Sequence, residues 1–331
     1  MTKQESKQAK LQAKVDAARK QTVETIVEMM KNKGLMWVKE WSNAFGEGSM
    51  PRNGVSGRWY AGGNALHLMA RAYMNEWKDP RWFTFKQAKE LGYFPEKGSN
   101  GALVEYYRMF SGMKDKDGKW TKNEDEAEST FSYMRLVGVF YVFNAEQLFD
   151  SDGKPMPREK HVQVNEDDLD AHMCEIADQL IDTSRCPINE VKGEMRAYYR
   201  PGSDSISLPS RTQFTNMEAF ITTLTHEMTH STIPVFKRRV AHRLLDREGY
   251  AFEELIAELG STFVSLELGV HRSGELEADE NFKNHAAYLK SWLGALESNP
   301  DYLFKAASHA SKAATYLLDR YNGEVREETA A

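Results

Sequence analysis

The sequence predicts an α+β protein of two domains: an N-terminal half of mixed helices and strands, and a mainly helical C-terminal half with a small β-hairpin. Three observations lead there. At 331 residues the chain exceeds what one core comfortably serves, and a prior of about 150 residues per domain gives two. Two runs rich in β-branched and aromatic residues, Ala102–Phe110 and Leu136–Phe143, read as strands in the first half. The second half carries apolar stripes at helical spacing, Met217, Ile221, Leu224 and Met228 in one run and Phe252, Leu255, Ile256, Leu259, Phe263 and Leu266 in another.

Composition narrows the class. With 41% hydrophobic and 28% charged residues this is an ordinary globular composition; there is no apolar run of ~18 residues for a membrane span and no signal-peptide pattern, so no membrane partner and a cytoplasmic location are expected. Cys174 and Cys186 form no CxxC pair and read as reduced thiols. Charge is uneven. Residues 1–110 hold 18 Lys and Arg against 11 Asp and Glu, whereas residues 111–331 hold 25 against 38. A basic first part beside an acidic second part points to an anionic partner for the former, nucleic acid among the candidates.

The elements follow in order. Met1 to Lys33 becomes helical through Val23, Ile26, Val27 and Met30 and stops at Gly34, its first 15–20 residues expected to be mobile and solvated. Trp37 to Asn64 alternates turn residues and aromatics and precedes a helix over Ala65–Trp77, and a short helix runs through Gln87, Ala88 and Leu91. Between the two strands, Met113–Thr130 is a polar insertion, read as an exposed hairpin loop or a disordered stretch. Asp150–Pro157, with Gly153, Pro155 and Pro157, is the linker, which sets the domains at 1–150 and 158–331. Asn165–Asp182 is an amphipathic helix, and Met195–Tyr199 with Ser205–Leu208 forms a hairpin around Pro201-Gly202-Ser203-Asp204.

Chemistry concentrates in Thr225-His226-Glu227-Met228-Thr229-His230, an HExxH inside a helix started by Thr215-Asn216-Met217-Glu218. Residues four apart share a helix face, so His226 and His230 suit one metal ion, zinc first, with Glu227 as the base that takes a proton from water and returns it to a leaving amine. A third ligand comes from His242, Glu248, Glu253, Glu254, Glu258 or His271. The favoured pair is Glu254 on the metal and Glu258, four residues on, holding the far nitrogen of a ligand histidine. Glu253 and Glu254 as solvated surface residues, and His242 as the ligand, are the alternatives. Tyr250, His285 and Tyr288 are the candidates for stabilising an oxyanion, and spacing does not rank them.

Taken together, the chain over residues 20–322 resembles the ArdC-type antirestriction proteins of conjugative plasmids and phages. In the N-terminal half the resemblance rests on Pro51-Arg52-Asn53, Tyr60-Ala61-Gly62-Gly63-Asn64, Trp82 to Ala88, Leu91-Gly92, Lys97-Gly98 and Val142 to Gln147; in the C-terminal half, on Ala197-Tyr198, Asp204-Ser205-Ile206, Leu208-Pro209, Thr225–His230, Tyr250 to Leu259, Ala286-Ala287-Tyr288 and Ser291-Trp292-Leu293. It implies a single-stranded-DNA-binding domain ahead of an SprT-like zinc metallopeptidase domain of unknown protein substrate, and protection of incoming DNA from restriction. Ser231 departs from the family, which commonly has Trp there, and this bears on the shape of the cleft. For the DNA-binding role, Arg52, Arg58, Lys86 and Lys97 suit phosphates, Trp59, Tyr60 and Trp82 suit bases, and Asn53 and Asn64 are polar contacts or turn caps.

Overall fold

The computed structural model describes residues 3–33, 50–117, 119–121, 129–158, 166–239, 246–270, 289–296, 298–299 and 301–324. It is a mixed α/β structure built from three sheets and the helices packed on them.

Helix α1 (Lys3–Lys33) is continuous, and the solvated opening stretch expected from its charge meets the sheet instead. Val15 is fully buried against Leu103 and Leu136, with Leu11 and Ala18 beside it. Strand β1 (Arg52–Asn53) precedes α2 (Gly62–Met74), whose apolar face of Leu66, Leu68 and Met69 is buried. Then come β2 (Arg81–Thr84), the short α3 (Phe85–Glu90) and β3 (Phe94–Pro95). Thr84 and Gln87 cap α3 reciprocally, which fixes its start.

Strands β4 (Ala102–Lys114) and β6 (Ser129–Asn144) form the centre of a five-stranded sheet ordered β1-β2-β6-β4-β5, with β5 at Trp120–Thr121. Both strands run longer than their sequence ranges. The insertion expected at Met113–Thr130 shrinks, because pairing continues to Lys114↔Ser129 past a bulge at Tyr106/Tyr107, and residues 122–128 lie outside the described residues. Thr, Ser and Tyr side chains suit an exposed pleat as well as a loop, so polarity alone did not separate the two. β7 (Leu148–Phe149) pairs with β3. The expected linker is held to the first half: Met156 is buried with Phe83 and Leu148, and Arg81 donates to the Pro157 carbonyl at 2.6 Å.

In the second half α4 (Glu166–Asp182) leads to a three-stranded sheet ordered β8-β10-β9: Ile188–Val191, Ser205–Pro209 and Tyr198–Arg200. β10 pairs antiparallel with β9, as the hairpin reading requires, and parallel with β8, a strand the sequence reading left out because Ile188–Val191 is short and half polar. Helices α5 (Met217–Ser231), α6 (Arg247–Glu267) and α7 (Asp301–Tyr321) follow, with a helical stretch at 289–296 before α7, and α7 lies against both α6 and α2. One buried cluster runs from Val23, Leu66 and Trp82 through Leu224 and Leu255 to Leu303 and Leu317, so the core continues across both halves.

Candidate metal centre

Helix α5 starts one residue later than the capping-box reading places it. The Asn216 side chain accepts from the Ala219 amide at 2.8 Å and is the cap. Burying Phe220, Ile221, Leu224 and Met228 on the core side leaves His226 and His230 together on the face toward α6. Helix α6 begins at Asp246, which caps the Gly249 amide, and closes tightly on α5 at Gly260. A Cβ at Gly260 would stand 2.6 Å from Thr229 Cγ2, so only glycine allows this approach. Thr225 and Ser261 hydroxyls meet across the same seam at 2.8 Å.

The close crossing delivers three carboxylates to two imidazoles. His226 Nε2 lies 3.5 Å from Glu254 Oε2, and His230 Nε2 lies 3.7 Å from Glu254 Oε1. The other ring nitrogens have partners of their own: Glu258 Oε1 stands 3.4 Å from His226 Nδ1, and Glu253 Oε1 stands 3.3 Å from His230 Nδ1. Glu253, Glu254 and Glu258 are each at most 8% exposed, which removes the solvated-surface alternative for Glu253 and Glu254. Of the other third-ligand candidates, Glu248 lies in the first turn of α6, while His242 and His271 fall outside the described residues.

Arg238, which the sequence reading passed over, completes the set. Its guanidinium holds Glu253 at 2.7 and 3.0 Å and donates to the Thr229 carbonyl and the Thr232 hydroxyl at the end of α5. The available signal was the basic run Lys237-Arg238-Arg239 a few residues past a helix whose partner carries a buried carboxylate in need of a cation.

Electrostatics follows from burial plus neighbours. Burial opposes charge on His226, yet Glu254 and Glu258 outweigh it and hold its pKa well above the ordinary imidazole value. Burial works against His230 likewise and is overcome by Glu253 and Glu254. Burial also opposes charge on Glu254, but the hydrogen bond to His226, the charges of both histidines and a hydrogen bond from Tyr250 keep its carboxyl well below the usual range. Glu227 differs: burial dominates and pushes it up, partly offset by the two histidines. Its Oε2 accepts the Tyr199 amide of edge strand β9 at 2.7 Å.

The donor set suits a divalent metal. A tetrahedral zinc site with bonds near 2.05 Å separates its donors by about 3.3 Å. Ligand atoms of His226, His230 and Glu254 all lie within 4.8 Å of one another, and both histidine–Glu254 distances are near that spacing. Each histidine then keeps a carboxylate on its far nitrogen, which fixes tautomer and ring orientation.

Of the remaining sequence candidates, His285 and Tyr288 lie outside the described residues. Ser231 is buried, its hydroxyl donating to the Met228 carbonyl and facing Cys186, so this position belongs to the core of α5. The nucleic-acid candidates divide. Trp82 is fully buried with its edge against Trp77 and has no face for a base, a correction that follows from its place in a central strand. Trp59 and Tyr60 pack on the main core. Asn53 accepts from the Val55 and Ser56 amides and donates to Gln87, and Asn64 makes a two-way bond to the Glu105 backbone; both are occupied in turns and strand pairing. Arg52 pairs in β1 beside β2, while Arg58, Lys86 and Lys97 are exposed. Arg52 is also bridged to Trp59.

Comparison with known proteins agrees with this architecture. Residues 16–143 match the family described as the N-terminal domain of anti-restriction factor ArdC, and residues 175–309 match the family described as zincin-like metallopeptidase. Two Escherichia coli proteins named DNA primase TraC are 34% and 33% identical over 92% and 93% of this chain. The chain spans only 20% and 28% of their lengths. The uncharacterized protein y4eC of Sinorhizobium fredii is 29% identical over 84% of both chains. Crystal structures of the antirestriction ArdC protein from plasmid R388, metal-free and Mn(II)-bound, superpose with a TM-score of 0.64 at 29% identity, covering 93% and 92% of this chain and 99% and 97% of theirs. Two family domains in tandem and a solved structure matched along nearly its whole length give this chain the ArdC-like architecture, a domain of the ArdC N-terminal family followed by a zincin-like metallopeptidase domain.

Proposed function

We propose that the chain is a cytoplasmic antirestriction protein of a mobile element whose N-terminal domain, residues 1–150, binds single-stranded DNA and whose C-terminal domain, residues 158–331, is a zinc-dependent endopeptidase. The observation that carries the enzymatic part is the His226–His230–Glu254 cluster with Glu227 buried beside it and each histidine backed by a second carboxylate. His226, His230 and Glu254 would hold the metal, zinc by preference, and zinc in such a site supplies Lewis acidity and a water of lowered pKa. Glu227, raised by burial, is poised to take a proton from water and hand it to the leaving amine at the same carboxylate. Edge strand β9 runs beside Glu227, which accepts its Tyr199 amide, so a peptide would pass next to this strand end.

Glu227→Ala tests the reading. The variant should bind one zinc and a single-stranded oligonucleotide as the unaltered chain does, yet produce no new protein N-termini when zinc-loaded protein meets DNA-bound proteins. Protection of transferred DNA should fall with it. Undiminished protection, with no cleavage by either form, would instead identify a DNA-binding shield whose metal site is structural.

A further inference from the structure

The proposed single-strand binding leaves open which surface meets the DNA, and the Arg52–Lys97 segment offers few free rings. A different surface offers many. Beyond the bulge at Tyr106/Tyr107, strands β4 and β6 leave the core as a two-stranded ribbon, and the register sorts its side chains cleanly. One face carries, row by row, Tyr106; Arg108 with Arg135; Phe110 with Tyr133; Phe131 beside Gly112; and Lys114 beside Trp120. The reverse face at the same rows carries Met109 with Met134 and Ser111 with Ser132. The first row past the bulge puts Tyr107 on the reverse face too, bonded to Arg19 and Glu105; beyond that row the rings and cations lie on one side.

The rings make a connected layer. Phe110 stacks on Tyr133 at 5.8 Å, and Trp120 meets Phe131 and Tyr133 edge-on at 4.7 and 5.1 Å. Arg135 lies over Phe110 at 4.4 Å and Lys114 over Phe131 at 5.2 Å, so cations and rings are already neighbours. Gly112 makes room: a Cβ there would stand 2.7 Å from Phe131 and 3.0 Å from Trp120. Yet the face stays open to solvent, with Trp120 62% and Tyr106 46% exposed and Phe110, Phe131 and Tyr133 half-buried. At roughly 3.4 Å per residue, Tyr106 to Lys114 spans about 27 Å, room for several unstacked bases.

We propose that this ribbon face is a base-stacking platform for single-stranded nucleic acid. Rings exposed for their own sake are unfavourable, and an uncovered apolar patch of this kind marks a binding surface. Charge selects the occupant. The face carries Arg108, Arg135 and Lys114 and, among the described residues, no carboxylate; Asp115 lies past it in the turn, where it accepts the Asp117 and Lys119 amides. Glu124, Asp125, Glu126 and Glu128 follow β5 in sequence and lie outside the described residues. Cations stand on both sides of the central ring rows, Arg108 and Arg135 at one end and Lys114 at the other, where they can meet phosphates while the rings take bases.

The test uses the full chain and a fluorescent oligo-dT in anisotropy titrations across a salt series. Trp120→Ala and Tyr133→Ala should each weaken binding about 5- to 150-fold, Trp120→Phe should restore most of it, and melting temperatures should hold. Arg108→Gln with Arg135→Gln should flatten the plot of log affinity against log salt by about 0.7 per cation. If the ribbon variants bind like the unaltered chain while Arg58, Lys86 and Lys97 variants do not, the ribbon is wrong and single-strand binding stands. No binding by the unaltered chain overturns both. Ribbon variants that keep oligonucleotide affinity but change the chain's sedimentation reassign the face to protein contact.

Discussion

At the scale of single residues, the candidate metal centre is defined as much by what stands behind the histidines as by the atoms that could bind a metal. Glu258 and Glu253 occupy the two Nδ1 positions, and Arg238 neutralises Glu253, so no buried charge in the set lacks a partner. Glu258→Gln keeps the shape of its site but removes the carboxylate that sets the His226 tautomer. Zinc affinity, read by chelator competition, should fall about 10- to 100-fold. An unchanged affinity would show that Glu258 plays no part in positioning the ring. The meeting of these side chains was partly legible, because HExxH sets two histidines on one helix face and i,i+4 spacing on an apolar helix favours Glu254 and Glu258 among several candidates. Glu253 and Arg238 were not, since their meeting depends on where the chain goes after α5, and no local pattern encodes that.

At the scale of elements, the sequence foretold helices better than strand ends. Periodicity over twenty residues survives polar interruptions, as in α6, whereas the β4–β6 ribbon keeps pairing through serines and threonines that read as loop. Contacts between elements were least legible, and the α1–α2 contact shows why. Thr22 Oγ1 donates to the Ala18 carbonyl at 2.9 Å and therefore accepts from His67 Nδ1 at 2.7 Å, a pair 45 residues apart. Burial, with Arg71 adding repulsion, pulls the His67 pKa down to about 4. In the unfolded chain the ring titrates near 6.5, so between those values the unfolded state binds the extra proton. The stability contributed by neutral His67 is whole above about pH 6.5, declines by as much as about 3 kcal/mol as pH falls to 4, and is level below that. Urea midpoints measured from pH 7 to 4 should show this slope in the unaltered chain. His67→Gln should remove about one proton's worth, roughly 1.4 kcal/mol per pH unit; an equal slope in both would disprove the assignment.

At the scale of the whole molecule, the boundary expected from sequence at residues 150–158 and the boundary of packing are different things. Helix α7 is the last of the described helices, yet it is wedged against the first half. The Gly62 amide donates to Ser311 Oγ at 2.7 Å, Gly63 lies so close to Phe304 that a Cβ would stand 2.2 Å from its ring, and Arg19 joins Asp301 and Glu105 over that same ring. α7 also packs along α6, the helix that carries Glu254. A helix shared in this way couples the stabilities of the two halves, because neither keeps its buried surface if α7 leaves. Calorimetry should therefore show one unfolding transition. Phe304→Ala, which empties a buried ring site at this junction, should lower stability by about 3–5 kcal/mol and shift the whole transition. Two resolved peaks, with the variant moving only one, would mean that the halves fold independently and that a single-stranded DNA on the ribbon has no packed route to the metal centre.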